Sequence, residues 1–440
     1  MGITNFPASL QAIIQQGFLE REFEHALTSC LGYRAIADRE KFAVGIGETL
    51  TKTRAGLKPS VTTPLAAAGN TNLDNGLVPA GFNVEQYTIT VNHYAATTDL
   101  NIVTSRVGIG DQFLLNAAIN GEQAARSLDE LARNALFASS FGGNSRVRVS
   151  LAAAGPTVAI DDVRGFTNVF SNGVQVPVGG TTSMTATVGA DPYVVIGVSI
   201  DPVNVSTTPG GVSGMLTFSG SVSMAAGTAG NAVQAATASA IVRPFARTNV
   251  SQIGVGDLLT MSCLLNAVAT LRQNAVPEID GAFNCYLDPV SARQLFADND
   301  FRQLFIGATS ANQVFRRGMV NDFLGLRFIP TTEAYVQAHP TIAGAVVRRP
   351  IICGKGALIE GDFAGMAADD VRPADSIVNL IDDVAMVTRE PIDRLQQIIA
   401  QSWYWIGGFC TPSDVGTNPT TIPTATNSAF KRAVMVEHMG

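Results

Sequence analysis

Residues 108–141 read GIGDQFLLNAAINGEQAARSLDELARNALFASSF, and this stretch carries the clearest helical signal in the chain. Ala117, Ala118, Ala124, Ala125, Leu128, Leu131, Ala132, Ala135 and Leu136 recur at helical spacing, while Glu122, Arg126, Asp129, Glu130 and Arg133 fall mainly between them. Asp111 after Gly110 is placed to cap the start, and Gly142-Gly143 to end it. Asp129 and Arg133 lie four apart with the acid first, the better order for an exposed helical pair. At 1.5 Å per residue, about 25 to 30 helical residues span roughly 40 Å. The many small residues on the apolar face let a partner pack close along that length. A polar, turn-rich β stretch precedes the helix and an almost uncharged β-rich stretch follows it.

The chain has 440 residues, enough for two or three domains and an ample core. Hydrophobic residues make up 46% and charged residues only 15%, a balance that suits a protein with much of its surface buried against partners. The formal net charge of −7 excludes a tight polyanion binder and leaves room for weak contact with nucleic acid. No basic and apolar signal peptide opens the sequence, Phe6 stands where a myristoylation signal wants Ser or Thr, and no run of 18 apolar residues spans a membrane, so no membrane partner is expected. Cys30, Cys263, Cys285, Cys353 and Cys410 are scattered and never form C-x-x-C, which reads as buried reduced thiols in a cytosolic setting. The sequons at Asn204 and Asn249 then read as chance matches.

Taken in order, residues 1–44 read as a mostly helical arm, with one apolar stripe at Leu10, Ile13 and Ile14 and a second at Leu19, Phe23, Ala26, Leu27 and Leu31. Such short helices need a partner, either a core or a neighbouring subunit. Residues 45–81 are rich in Gly, Pro, Thr and Asn, with a turn at Asn75-Gly76, and Tyr87, Ile89 and Val91 then alternate with polar residues as in a half-exposed strand. A structureless loop of this length is uncommon in a compact domain, so an extended hairpin over 45–92 is predicted. After the long helix the character changes near Arg146. Between residues 165 and 242 the only charges are Asp191 and Asp201, and β-prone runs at 173–178, 183–188, 193–200, 215–218 and 232–236 are separated by turn signals. That pattern predicts a small β-sandwich or barrel, an inserted all-β domain over 146–246. From Arg247 the chain becomes α/β. A helix is expected over 257–273, a strand over 283–287, and a helix capped by Asp288-Pro289. Residues 306–324 read as a loop bearing Arg316-Arg317. Strands are expected over 325–330, 350–359, 376–389, 398–409 and 430–436, with a Pro/Thr-rich loop over 411–427.

Signals for chemistry are sparse. His25, His93, His339 and His438 show no metal-ligand spacing, and there is no G-x-S-x-G elbow, P-loop or dinucleotide fingerprint. Neighbouring carboxylates at Asp161-Asp162, Asp369-Asp370 and Asp382-Asp383 suit a metal or a shared proton, but solvated turns are the commoner setting for such pairs. Arg316-Arg317 and Arg348-Arg349 are positioned to meet nucleic acid, without aromatic interleaving. No catalytic, cofactor-binding or metal-binding residue is therefore assigned, and no cofactor.

The order of these parts resembles the major capsid proteins of tailed double-stranded DNA bacteriophages with the HK97 fold. FNCYLDPVSARQLFADNDFRQLF (283–305) is similar to the strand and helix of that family's axial domain, and GLRFIPTTEA (325–334) and IICGKGALIEGDF (351–363) to its later strands. The resemblance implies an α+β, HK97-like capsid fold: an N-terminal arm (1–44), an E-loop hairpin (45–92) and a peripheral domain with its spine helix (93–145). The inserted β domain (146–246) and an axial domain with the remaining peripheral strands (247–440) would complete it. It further implies self-assembly as hexamers and pentamers into an icosahedral shell around packaged phage DNA, with weak non-specific DNA contact. Scaffolding, portal and decoration proteins are the implied partners, and the virion, assembled in the host bacterial cytoplasm, the implied location. Because the sequence starts almost directly with the arm, a separate scaffolding protein is expected. Lys52 and Lys58 fall in the presumed E-loop, where some members crosslink a lysine to an asparagine, although ordinary solvated lysines are the simpler reading. Competing readings are an encapsulin-type compartment shell, a binding or adhesion protein using the 146–246 domain, and an enzyme using the acid pairs.

Overall fold

A computed structural model describes residues 32–42, 48–58, 60, 62, 82, 84–101, 112–301, 322–323, 325–363, 377–381, 383–389, 398–412 and 422–440. The two apolar stripes of the arm, Asn75-Gly76, Arg316-Arg317, Asp369-Asp370 and Asp382 lie outside them. The chain is mixed α+β and divides into two compact units. One comprises the described parts of Met1–Leu50, Ile89–Leu136 and Leu358–Cys410, the other those of Thr51–Thr88, Phe137–Ala357 and Thr411–Gly440.

The first unit is built on the 13-residue strand Ile398–Cys410. It pairs antiparallel with Asn92–Asn101 in a ten-pair register from Ile398↔Asn101 to Gly407↔Asn92. It also pairs with Leu358–Phe363 and Val384–Arg389, and the latter forms a hairpin with Ile377–Ile381. The helix α1, Gln112–Phe141, has 30 residues, the upper end of the roughly 25 to 30 expected of it. Its face of Ala117, Ala124, Ala125 and Leu128 packs on Val384, Met386, Trp403 and Trp405 of this sheet. Small residues on the helix leave room for the two indoles, which bury large areas. Gly408 has no substitute here, because a Cβ would stand 1.9 Å from the carbonyl oxygen of Thr90.

Three expectations fail in this unit. Residues 33–42 are not mostly helical: Tyr33–Ile36 is one turn of 3-10 helix, and Ala37–Phe42 is a strand parallel to Leu358–Phe363. The charged sequence ADREKF has no apolar alternation, so its strand character comes from its partner strand. Asp129 is not exposed but 3% accessible. Its Oδ1 accepts the backbone N–H groups of Gly32 (3.1 Å) and Arg34 (3.0 Å), while Arg133 reaches Glu130 at 2.8 Å. The expected single strand over 376–389 is also a hairpin, turning at Asp383 with φ 66°.

In the second unit, Asn144–Arg146, Ala232–Ala235, Met184–Val188, Asp191–Ile200, Gly214–Val222 and Gly155–Ile160 form a six-stranded antiparallel sheet in that order. Its two ends meet: Arg148 N–H donates to the Ala159 carbonyl (2.9 Å) and Asp161 N–H to that of Arg146 (3.0 Å). The sheet thus closes as a small barrel around Val158, Ile160, Val188, Val195, Leu216 and Phe218. Closure removes the exposed edges that a sheet of so few charges would otherwise present. A separate hairpin, Asn168–Ser171 with Val174–Pro177, lies between the barrel strands in sequence.

A second six-stranded sheet runs Ile241–Val242, Ala433–Val436, Ile351–Cys353, Phe283–Leu287, Leu326–Pro330, Asp322–Phe323. Phe283–Leu287 is buried at every position and pairs parallel with Leu326–Pro330. α2 (Met261–Gln273) and α3 (Pro289–Ala297) share a core with it that includes Leu264, Val268, Leu271, Phe283 and Leu295. Asp288 caps α3 through the N–H groups of Val290 and Ser291, and Pro289 takes the first helical position. α2 starts at Met261 rather than at 257, because Asp257 is drawn away to Gly254 N–H (2.8 Å) and Arg247 (3.0 Å). Asp298 instead accepts from Met261 N–H (2.8 Å). The strand expected over 350–359 is interrupted at 354–357, and its halves, Ile351–Cys353 and Leu358–Phe363, belong to different sheets.

Candidate functional site

Among the described residues, the side chains that could have carried chemistry are occupied in holding the fold; His25 lies outside them. Asp161 and Asp162 are each 1% exposed, not solvated. Asp161 accepts from the N–H groups of Thr207 and Thr208 (both 3.1 Å) and from the Thr208 hydroxyl (2.8 Å), pinning the loop before Gly214–Val222. Asp162 takes a two-pronged contact from Arg164 at 3.0 and 2.7 Å. Asp383 is bonded by Arg39 at 2.9 Å. Arg348 and Arg349 do not form a basic patch: Arg348 reaches Asp288 (2.7 Å), and Arg349, 1% exposed, reaches Glu437 (2.8 Å).

His93 packs edge-on to Tyr404, and His339 is buried. His438 is also buried; its Nδ1 lies 2.9 Å from the Met439 carbonyl, which only accepts, so Nδ1 carries the hydrogen. Its Nε2 meets the Ser291 hydroxyl at 2.7 Å, and that hydroxyl also bonds Asp288. Asp288, Ser291 and His438 are at most 2% exposed, so this Asp-Ser-His contact has no face open to a substrate. Burial lowers the His438 imidazole to about 4. Among the described residues no cluster of His, Cys, Asp or Glu is arranged to hold a metal. No described helix is long and apolar enough to cross a membrane. Cys263, Cys285, Cys353 and Cys410 are buried, and burial pushes the Cys285 thiol up to about 12. Asn249 is buried, and the Asn204 carboxamide braces its own loop through Ser206 and Ser213 N–H (both 3.0 Å).

What the chain presents instead are extended elements and exposed apolar side chains. Thr49–Ala55 and Val84–Thr90 form a two-stranded ribbon. Lys52 is half-buried, and Lys58 lies 4.8 Å over the ring of Phe82. In the second unit, Glu85 anchors the ribbon: its Oε1 accepts from Thr426 N–H (2.7 Å), Asn427 N–H (3.3 Å) and the Thr426 hydroxyl. Burial raises the Glu85 carboxyl above its ordinary value, against those hydrogen bonds. On α1, Leu115 (62% exposed) and Ile119 (52%) stand one turn apart on the face opposite the core. In the second unit Val203, Val255 and Phe245 are more than two-thirds exposed, and Phe245 holds φ at 51°, a strained value for an aromatic residue.

The internal anchors were not legible beforehand. Arg34 reaches Glu360 at 2.7 Å with side chains 2% and 1% exposed, yet 326 positions separate them. Arg349, Glu437 and Arg243 likewise converge from distant segments. No sequence motif marks either group.

No protein-family model matches the sequence, and no curated protein matches it. Among solved structures, the chain is similar to the capsid of Ralstonia phage GP4, at 8% identity over 92% of this chain and 88% of that one, with a TM-score of 0.49. It is similar to the capsid of cyanophage P-SCSP1u at 11% identity, over 92% and 86% of the two chains, TM-score 0.46. It is also similar to the capsid asymmetric unit of cyanophage Pam1, at 12% identity over 89% and 85%, TM-score 0.43.

Proposed function

We propose that this chain is a structural major capsid protein, which self-associates into the icosahedral shell enclosing the packaged DNA of a tailed phage, and that it is not an enzyme. One observation carries the reading: the order of its elements. A two-stranded ribbon leads into a ten-residue strand, a 30-residue helix on a long-stranded sheet, a closed β-barrel, and then an α/β sheet. That is the order of E-loop, peripheral strand, spine helix, insertion and axial domain in the HK97 fold. In this reading residues 1–44 are the arm, 45–92 the E-loop, 93–145 the peripheral domain, 146–246 the inserted domain and 247–440 the axial domain with returning peripheral strands.

The physics agrees with a shell subunit. A long helix with an internal core face and apolar residues on its outer face is stiff and has surface to bury. Hexamers and pentamers use closed cyclic contacts. The acidic balance and the internal use of Arg348 and Arg349 leave only weak, non-specific contact with DNA. A scaffolding protein, a portal and a decoration protein are the partners this role calls for, and the virion, assembled in the host bacterial cytoplasm, is its location. Sedimentation velocity on the purified chain, alone and with a scaffolding protein, tests the reading. Discrete large assemblies are expected; a single monomer boundary up to high concentration in both conditions refutes it.

A further inference from the structure

Arg349 is a buried cation of the second unit, 1% exposed. Its Cζ lies 5.1 Å from the centroid of the Phe141 ring, its Nε donates to Glu437, and its Nη2 donates to Gln337. Its Nη1 is buried and has no hydrogen-bond partner among the described residues. A guanidinium keeps its charge at every accessible pH. A buried donor left unmet is costly, and more so when charged. The same side chain lines a cavity of about 30 Å³ with Phe141, Arg146, Arg243, Asn249 and Glu437.

The charges around this cavity do not balance. Arg146, Arg243 and Arg349 supply three cations. Glu437 bridges Arg243 (2.7 Å) and Arg349 (2.8 Å), and Asp161 lies 3.5 Å from Arg146. Burial pushes the Glu437 carboxyl up, but the two guanidiniums outweigh it and hold the group below the ordinary carboxylate value. Glu437 therefore stays ionised, and three cations face two carboxylates, leaving one positive charge. The volume suits one small ion or one to two waters.

We propose that this cavity binds a single small monovalent inorganic anion of chloride size, which accepts a hydrogen bond from the Arg349 Nη1 that has no partner among the described residues. The anion neutralises the residual charge where the first barrel strand, Asn144–Arg146, meets the segments carrying Arg243, Arg349 and Glu437. The inference is independent of shell assembly, since every residue involved belongs to one subunit.

The test uses the unassembled full chain. Thermal unfolding is followed while sodium chloride replaces sodium gluconate at constant ionic strength. A saturable rise of the midpoint in chloride, reproduced by bromide, is expected, and at chloride tenfold over its Kd the folding constant rises about 11-fold. Chloride NMR line broadening by the folded chain should saturate with the same Kd. Arg349→Lys, which keeps charge but loses the donor, should abolish both effects; should it fail to fold, Arg146→Gln is expected to weaken binding at least fivefold. Arg148→Gln is the control, since Arg148 pairs with Asp201 (2.6 Å) and does not line the cavity. Superimposable unfolding curves in chloride and gluconate, or line broadening that survives both cavity variants, would overturn the proposal and assign the Nη1 donor to water.

Discussion

Removing Arg34 tests how the segment at residues 32–42 is held. Its guanidinium contacts Glu360 through Nη2 (2.7 Å) and Nε (3.0 Å), with side chains 2% and 1% exposed. Arg34→Met keeps much of the stem and removes the charge, leaving the Glu360 carboxylate buried. Breaking a buried pair from one side costs about 3–5 kcal/mol. Arg39 also lies 3.8 Å from Glu360, but it is 43% exposed and solvent screens it, so it offsets only part of the loss. The low end of the range, about 3 kcal/mol, is therefore expected. Removing both charges in Arg34→Met/Glu360→Met takes away the desolvation penalty together with the attraction, so the double variant should recover to within about 1–2 kcal/mol of the parent. Urea unfolding of unassembled subunits, with the m-value held common, gives both numbers. A single variant costing under about 1 kcal/mol, or a double variant no more stable than the single, would refute the reasoning.

Other consequences concern pH and packing. His438 falls from 6.5 to about 4 in the fold, so its contribution is present above pH 6.5 and lost as pH falls through about 4, reaching about 3 kcal/mol. The raised carboxyls of Glu85 and Asp362 act in the opposite sense, favouring the fold below their ordinary values and losing that contribution as pH rises. His438→Gln should therefore flatten the decline in unfolding midpoint between pH 6.5 and 4.5, and an unchanged slope would contradict the assignment. Gly165 holds φ at 81°, and a Cβ there would stand 2.2 Å from the Gly143 nitrogen, so Gly165→Ala should cost several kcal/mol, on the order of 2–4, by chemical denaturation. Trp405→Ala empties a fully buried site and should cost about 3–5 kcal/mol in the same assay. Asp161→Ala frees the 204–208 loop, and limited proteolysis should cut there well before the parent is touched.

The long helix and most barrel strands were legible because their signals are local. Helical spacing alone places α1, and β-prone runs between Gly and Pro turns place Met184–Val188, Asp191–Ile200 and Ala232–Ala235. Elements that depend on distant partners were not. Ala37–Phe42 carries four charges in six residues and is a strand because Leu358–Phe363 pairs with it. Asn92–Asn101, rich in Ala and Thr, is likewise fixed by Ile398–Cys410. The Asp161-Asp162 and Arg348-Arg349 pairs misled for the same reason. A carboxylate such as Asp161 reads as solvated until the loop that donates to it, some 46 positions away, is in place. Asp129 sits among helix-surface charges in sequence but is claimed by the backbone of Gly32 and Arg34.

The central claim is that many copies of this chain build a closed shell. Negative-stain electron microscopy of the expressed chain, with and without a scaffolding protein, tests it most directly. Closed shells, or rings of five and six subunits, are the predicted result. A field of uniform monomers at high concentration, with the scaffolding protein present, would contradict it.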